Sequence, residues 1–452
     1  MNRIVVYFTL LGLLSCHNPI EDNNQMVIVN AFLYNVNTGK VDKNMSVFIK
    51  DGFITKISRT NSSDFTLKNS IDAHEKLLTP SFIDVHNHLN FIFGDTTEIT
   101  NPDEFQISKQ QITEQYMPYG VTAIRSAGGR ESHIPMEQSW MKSNYNPDFI
   151  DYYPTGGALV SLDTKFYNHI YVEDTIDVSS KIKEYHNLGI RHIKVYSLIG
   201  ETELSSAIQT AKALDMNIFG HIESSMVSIE TAAKLGLKNF EHAKTLFLEV
   251  LKKYESTSKD LSGLPPDDNE NWRYREYEVF NLIGVDDPLM IDLIDLLKEN
   301  NVSITPTLHL YAFPVGLTNA DINIDINPDD KLNLSKEKLD RAQMGYNVLA
   351  SLVYNLYKNG ITLNTGSDTY EPGKTILSEM LLLNDLGIPM NDVFKIATIN
   401  SARSIHMEKS YGSIEVGKKA NMVLFDKSPL IDSQNLLSNK TIIKDGILWS
   451  QP

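Results

Sequence analysis

Six residues of types that bind metal ions or transfer protons lie at or just after apolar segments. They are His86, His88, Lys194, His221, His242 and Asp368. The first two end the run Ser81-Phe-Ile-Asp-Val-His-Asn-His88, and side chains two residues apart on a β-strand point the same way. His86 and His88 could therefore bind one metal ion together, although an H-x-H pair in a long chain also occurs by chance or as a hydrogen-bonded polar pair. The chemistry depends on whether the other four residues reach the same place.

A repeated pattern of strand and helix determines where these residues lie. Helical spacing is clear after Gly200, and glycine precedes predicted strands at Gly120, Gly189, Gly236 and Gly360, as it does where a helix ends before a short connection. This pattern is typical of a parallel α/β sheet, and the number of repeats favours a (β/α)8 TIM barrel over an open sheet. The eight predicted strands lie near 82–88, 121–125, 150–155, 190–196, 217–221, 238–242, 302–307 and 361–366.

Barrels of this kind carry their active sites at the C-terminal ends of the strands. The six residues fall at that end, so we expect them to meet in one cavity. Singly, a histidine that ends an apolar strand is more often a hydrogen-bonded core residue, and Lys194 could extend to solvent. Together they are hard to explain as packing, because buried polar groups cost free energy unless something binds them. Tyr196 and His309 also lie near strand ends, and each is either a substrate contact or an ordinary packing residue.

Short alternating strands occur on both sides of the barrel region. The N-terminal ones are expected at 27–29, 32–34, 46–49 and 53–57, and the C-terminal ones at 420–425 and 441–444. Asp51-Gly52 and Asp445-Gly446 follow apolar strands, and Asp-Gly in that position strongly favours a hairpin turn. We expect the two segments to form one small β-sandwich beside the barrel.

The predicted domains follow from these patterns. They are a signal peptide (1–15), a linker (16–25), the two parts of the β-sandwich (26–78 and 408–452) and the barrel (79–407). One barrel connection is unusually long and carries a polar insertion near 259–286. Long insertions on the active face of a barrel are often lids or specificity loops, and a solvated excursion without a role explains this one equally well.

The N-terminus resembles an export signal. Arg3 precedes an apolar run, 4–14, that is shorter than the roughly 20 residues needed to span a bilayer. Leu13-Leu14-Ser15-Cys16 resembles the lipobox of bacterial lipoproteins, and Cys16 is the single cysteine of the chain, so it has no internal disulfide partner. We therefore expect lipidation at Cys16 and anchoring to the bacterial cell envelope, on its periplasmic or surface face. A plain signal peptide that ends beside a cysteine is the alternative.

Composition limits the class of protein further. The chain has 452 residues, of which 42% are hydrophobic and 9% aromatic, so a large folded core is expected. Its 57 acidic and 41 basic residues give a net charge of −16, which repels phosphate backbones. Nucleic acid is therefore excluded as an expected partner, and a homo-oligomer is left open.

Taken together, these motifs resemble the amidohydrolase superfamily. The similarity rests on the split β domain, on 78–88, on Gly120-Val-Thr-Ala-Ile-Arg125, on the Lys194 strand and Asp368, and on the closing segments 397–400 and 411–424. Within the superfamily the chain is most similar to the branch that groups imidazolonepropionase-like proteins with Xaa-Pro dipeptidases.

The resemblance implies a centre of two divalent metal ions. His86, His88 and Asp368 would hold the first ion, His221 and His242 the second, and Lys194 would bridge them as a CO2-derived carbamate. Imidazole and carboxylate ligands without thiolates suit zinc, which is the metal we expect. The resemblance also implies that a hydroxide bridging the ions attacks the carbonyl, while Asp368 acts as general base and then as general acid.

Three functions follow from this interpretation. The first is hydrolysis of an amide bond in a small molecule, such as a dipeptide or an N-acyl amino acid. The second is a mononuclear deaminase or cyclic-amidine hydrolase; such relatives usually lack the bridging lysine and place a glutamate three residues after the fifth-strand histidine, where Ser224 stands here, with Glu223 one position early. The third is a non-catalytic binding lipoprotein.

Overall fold

The structure is a computed structural model that describes residues 25–94, 97–257, 260–266, 272–319, 322 and 332–450. The predicted signal peptide, Cys16 and the linker up to residue 24 lie outside these residues, so export and lipidation stay predictions. Parts of the insertion, 259 and 267–271, also lie outside them. Among the described helices, none is both long enough and apolar enough to cross a bilayer.

Strands and helices alternate through the middle of the chain. The strands are β1 Gln25–Asn35, β2 Lys40–Lys50, β3 Phe53–Arg59, β4 Ser70–Asp72, β5 Leu77–Pro80, β6 Phe82–Asn87, β7 Val121–Ser126, β8 Asp151–Tyr153, β9 Ala158–Val160, β10 His169–Tyr171, β11 His192–Tyr196, β12 Asn217–His221, β13 Asn239–Glu241, β14 Ser303–Thr305, β15 Thr362–Leu363, β16 Met422–Phe425, β17 Lys440–Lys444 and β18 Ile447–Leu448. The α-helices are α1 Asn90–Phe93, α2 Pro102–Tyr116, α3 Ile134–Lys142, α4 Thr175–Asn187, α5 Glu201–Ala213, α6 Ile229–Leu235, α7 Thr245–Glu255, α8 Trp272–Ile283, α9 Pro288–Glu299, α10 His309–Ala312, α11 Lys336–Lys358, α12 Pro372–Asp385, α13 Met390–Lys395 and α14 Ser401–Ser404.

The middle of the chain forms a (β/α)8 barrel. Strands β6, β7 and β8 pair in parallel as one sheet, and β9, β11, β12, β13, β14 and β15 pair in parallel in a second sheet that continues around the barrel. The ring closes beyond β15, where Thr365 O accepts from Val85 N at 3.0 Å and His86 O accepts from Asp368 N at 2.8 Å. This closure places the end of β6 directly beside Asp368. The predicted α/β barrel is confirmed.

The third barrel position differs from the prediction of one strand at 150–155. β8 pairs with β7 and β9 pairs with β11, and the chain between them runs through 154–157. Gly156 has φ 68°, and a Cβ there would lie 2.5 Å from the Tyr185 ring. The position is therefore split between two short strands, and β9 and β10 were not predicted.

The two outer segments of the described chain share one eight-stranded sheet. Its order is β18-β17-β16-β5-β1-β2-β3, with β4 on β1. The sheet encloses its own apolar cluster, which includes Ile28, Val47, Leu78, Met422 and Ile443. Asp-Gly turns join β2 to β3 and β17 to β18, as predicted.

One detail of this sheet corrects the sequence analysis. The segments 27–29 and 32–34 were predicted as separate strands, but both belong to β1. Asn30 has φ 56° and the pairing register shifts between Ile28 and Ala31, so the chain makes a bulge there instead of a turn.

The described part of the insertion includes a packed helix, α8. Tyr277 and Phe280 are fully buried, and α8 packs on α7 and α11. The guanidinium of Arg341, on α11, binds the carboxylate of Glu278. A solvated excursion therefore does not describe residues 272–283.

Candidate active site

His86 lies at the centre of the predicted site. Its side chain is 1% exposed, its Nε2 lies 3.5 Å from Asp368 Oδ1, and its Nδ1 lies 2.7 Å from Glu241 Oε2. Asp368 reaches this position from the loop after β15, with φ 48°. The backbone bond from Asp368 N to His86 O fixes the two residues to each other.

Two further imidazoles approach the same carboxylate. His88 Nε2 lies 3.7 Å from Asp368 Oδ1, and His242 Nε2 lies 3.6 Å from Asp368 Oδ2. On the far side of each ring, His88 Nδ1 donates to Gly128 O at 2.9 Å and His242 Nδ1 to Thr307 Oγ1 at 2.8 Å. Thr307 donates its own proton to Pro306 O, so it accepts from His242. Both bonds leave the Nε2 lone pairs facing the cluster, as metal-binding histidines require.

These atoms fit a metal ion. Ligand atoms of His86, His242 and Asp368 lie within 4.8 Å of one another. Burial lowers the pKa of His88 to about 4 and that of His242 well below its usual value, so both rings are neutral at pH 7. Burial alone would raise the pKa of Asp368, but the adjacent His86 holds it well below its ordinary value. The pKa of His86 is itself raised, because the charges of Glu241 and Asp368 outweigh the effect of burial, so a bound cation would have to displace its proton. Neutral imidazoles and an ionised carboxylate are the forms that bind divalent cations.

Lys194 is buried among these residues. Its side chain is 1% exposed, and its Nζ has no hydrogen-bond partner among the described residues. Phe219 lies beneath it, with 4.8 Å between Nζ and the ring centroid. Burial lowers the pKa of Lys194 to about 8, although the charges of Glu241 and Asp368 oppose that shift. A neutral amine is the form that reacts with CO2, so this environment favours the predicted carbamate.

His221 is near the cluster but is oriented differently. Its ring centroid lies 4.4 Å from that of His242, while its Nε2 lies 2.8 Å from Glu223 Oε1. The same Glu223 oxygen accepts from Lys244 Nζ at 2.6 Å. His221 is therefore brought to the predicted place, with the Nε2 atom turned toward Glu223.

The two candidate substrate contacts occupy different positions. The Tyr196 ring lies 4.7 Å from the His221 ring and is partly buried. His309 is 2% exposed, and its Nδ1 lies 2.8 Å from Ser378 Oγ. Burial lowers the pKa of His309 to about 3, so this ring is neutral.

A cavity of about 250 Å³ opens over the cluster. Its floor includes His221, His242 and Asp368, and His309 forms part of the wall. Its remaining lining is mostly aromatic or apolar, with Lys244 and Arg273 as the cations: Phe91, Lys244, Trp272, Arg273, Leu310, Tyr311, Phe313, Pro314, Thr369 and Tyr370.

Several charged residues at the site were not predicted from the sequence. Glu241 bridges His86 and Arg125, whose Nη2 lies 2.9 Å from Glu241 Oε1. Lys244 joins Glu223 to Glu276. One sequence signal was available, because Glu223 and Lys244 each follow a strand-end histidine by two residues on neighbouring strands.

Comparisons with known proteins agree with this architecture. The model of the amidohydrolase family matches residues 77–447. The chain is 23% identical to a 5'-deoxyadenosine deaminase of Methanobrevibacter smithii over 95% of this chain and 89% of the relative. It is 22% identical to an imidazolonepropionase of Fusobacterium nucleatum subsp. nucleatum over 90% of this chain and 87% of the relative. The crystal structure of a Xaa-Pro dipeptidase with bound methionine in the active site superimposes with a TM-score of 0.65 at 16% identity, covering 94% of this chain and all of that chain.

The chain therefore belongs to the amidohydrolase family. It is a hydrolase that acts on carbon–nitrogen bonds, and it carries a His/His/Asp cluster suited to a divalent metal.

Proposed function

We propose that this protein hydrolyses the amide bond of a small molecule such as a dipeptide or an N-acyl amino acid. One observation carries the proposal. Three imidazole Nε2 atoms converge on the Asp368 carboxylate, beside a buried Lys194 amine that has no hydrogen-bond partner among the described residues. Such an arrangement costs free energy unless a cation and a modified lysine complete it.

Two divalent ions, zinc by the chemistry of the donors, complete the site in this proposal. His86, His88 and Asp368 would hold one ion and His221 and His242 the other, with a carbamate on Lys194 as a further ligand. When bound, ions of this kind polarise a carbonyl and make a water molecule acidic enough to ionise near neutral pH. To take part, His221 has to turn its Nε2 from Glu223 toward the cavity.

The chain's own residues supply the proton transfers. Asp368 is ionised at neutral pH, so it can accept a proton as the water oxygen bonds to the scissile carbon. It then passes that proton to the leaving nitrogen as the C–N bond breaks, which yields a carboxylic acid and an amine. Glu241 and Thr307 keep the His86 and His242 rings in place during the reaction.

A mononuclear deaminase or cyclic-amidine hydrolase is the alternative. Glu223 lies beside His221, which favours it, since that activity needs an acidic group near the fifth-strand histidine. However, Lys244 already binds the Glu223 carboxylate, and Ser224 occupies the place where such enzymes have their glutamate. The retained ligand set speaks against a third possibility, a non-catalytic binding protein.

A substrate panel tests the proposal. The purified protein, supplied with zinc and bicarbonate, is assayed on dipeptides, N-acyl amino acids, adenosine-type amines and cyclic amidines. We expect turnover of at least one dipeptide or N-acyl amino acid. Turnover confined to the amines or amidines would favour the mononuclear alternative, and no turnover of any compound would favour the binding protein.

A further inference from the structure

The cavity wall away from the metal cluster is largely aromatic. Phe91, Trp272, Phe313 and Tyr370 all line it, together with Leu310 and Pro314. A wall of this composition binds a bulky apolar group better than a polar one, because burying apolar surface is favourable.

Most charged groups at this wall already have partners. Lys244 Nζ lies 2.6 Å from Glu223 Oε1 and 2.7 Å from Glu276 Oε1, and the Tyr311 hydroxyl donates to Glu276 Oε2 at 2.7 Å. Both carboxylates therefore already have partners within the protein, with one ammonium group shared between them. Among the described residues, neither forms an ion pair with Arg273, the other cation of the wall.

Arg273 is that remaining cation. It is partly buried, its guanidinium lies 4.9 Å from the Trp272 ring centroid, and it has neither an ion pair nor a hydrogen bond with the described residues. Its positive charge also acts on the Tyr311 hydroxyl, where it opposes the burial that raises the pKa. Its planar donors match both oxygens of a carboxylate, and partial burial strengthens such a contact.

We propose that Arg273 binds the free carboxylate of the substrate while the aromatic wall holds the neighbouring side chain. The preferred substrates are then N-acyl amino acids or dipeptides that end in a large apolar residue with an unblocked carboxylate. This inference rests on the proposed function and narrows its substrate class. It also gives the insertion a role, since Trp272 and Arg273 begin α8.

Ligand binding tests the inference without depending on turnover when every protein compared also carries Asp368→Asn, which should bind these ligands without cleaving them. Calorimetry on these metal-loaded proteins, with wild type denoting the one that keeps Arg273, compares N-acetylphenylalanine, its C-terminal amide and N-acetylglycine. Wild type should bind the acid more tightly than the amide. In Arg273→Gln this preference should fall by about 10- to 100-fold, the usual value of a hydrogen-bonded charge contact, while affinity for the amide stays the same. N-acetylglycine should bind more weakly than N-acetylphenylalanine.

Arg403→Gln is the matched control. It removes the same charge from an exposed position on α14, beside the start of β12 and therefore at the opposite end of the barrel. This variant should behave as wild type. A preference for the acid that survives in Arg273→Gln, equal binding of the glycine and phenylalanine ligands, or no binding of any ligand by wild type would overturn the inference.

The inference and the proposed function can fail separately. Hydrolysis of a dipeptide with an unchanged acid preference in Arg273→Gln leaves the function and removes the inference. The expected binding pattern without hydrolysis of any amide would support the inference and contradict the proposed function.

Discussion

Two clusters of buried charged groups in this protein differ in whether their lysines have carboxylate partners among the described residues. The first joins the small domain to the barrel and contains Asp151 of β8, Lys419, Lys444 of β17 and Asp445. The second is the site around Lys194. Lys419, Lys444 and Lys194 are all 4% exposed or less, yet only the first two have carboxylate partners within 3.1 Å among the described residues.

The difference separates a structural cluster from a functional one. In the first, two ammonium groups meet two carboxylates, and Asp151 bonds to both lysines at 2.7 and 3.1 Å. Each ammonium group therefore has carboxylate partners. In the second, the proposed metal ions and carbamate would complete the surroundings of Lys194 and the facing imidazole nitrogens, and the chain itself does not supply them. Of these three lysines, the one without a carboxylate partner among the described residues is therefore the better candidate for chemistry.

Of the substitutions considered, replacing the Asp368 carboxylate in the cluster around Lys194 should have the largest effect, and this effect should be on kcat. Asp368→Asn keeps the shape of the side chain but cannot accept a proton, so kcat should fall about 100- to 10,000-fold. The thermal unfolding midpoint should stay near that of wild type, and much of the metal should remain. Steady-state kinetics on the best substrate of the panel measure the loss, with the exposed Asp42→Asn as control. A kcat within a few-fold of wild type would contradict the role of Asp368.

The same substitution in the structural cluster should affect stability instead. Asp151→Asn leaves Lys419 and Lys444 with Asp445 alone, and breaking a buried ion network of this kind costs about 3–5 kcal/mol. Denaturant unfolding measures this loss. At a temperature where the variant is folded, its kcat should match that of wild type. A loss of activity without a loss of stability would mean that the two clusters do not differ as described.

Glu137 is a buried carboxyl group that pairs with no cation among the described residues, and replacing it should have the smallest effect of the three substitutions. Glu137 is fully buried, and its Oε1 accepts from the Tyr152 hydroxyl at 2.8 Å. Burial raises its pKa to about 7 despite that bond. Because the folded pKa exceeds the unfolded one, the folded state binds the proton more tightly. The resulting stability is fully present below about pH 4.5 and is lost as pH rises to 7.

Glu137→Gln should abolish this dependence. Relative to wild type, the free energy of unfolding of the variant should rise between pH 4.5 and pH 8, by at most about 3 kcal/mol. Urea unfolding at several pH values measures the difference, and the exposed Glu299→Gln should show no such trend. A difference between Glu137→Gln and wild type that stays constant with pH would refute the assignment.

Local signals predicted much of this structure. The Asp-Gly turns, the apolar strands and the helix-ending glycines depend on neighbouring residues, and the strands from 82–88 to 361–366 were found near their predicted places. The bulge at Asn30 and the split at Gly156 were missed, because each depends on pairing or packing with distant residues such as Met45 and Tyr185.

Residue types and strand positions in the sequence indicated which side chains come together at the site. They did not indicate which atoms those side chains contact. The histidines at strand ends could be recognised because the barrel brings strand ends together. The Arg125–Glu241 pair, the turn of His221 toward Glu223 and the position of Arg273 could not, because each depends on side-chain directions or on a helix packed from elsewhere in the chain. The sequence therefore indicated which strand-end residues gather at the site better than it indicated the groups that contact them.

The central claim of the proposed function is that Lys194, whose Nζ has no hydrogen-bond partner among the described residues, completes a centre of two metal ions. The direct measurement is the metal content of the purified chain after incubation with zinc and bicarbonate, for wild type, Lys194→Met and Lys109→Met. Lys109 is also buried, but its Nζ donates to Trp140 O and Ser143 Oγ at 2.8 Å. The account predicts about two ions per chain in wild type and in Lys109→Met, and at most about one in Lys194→Met. Two ions retained in Lys194→Met, or a single ion in wild type, would contradict it.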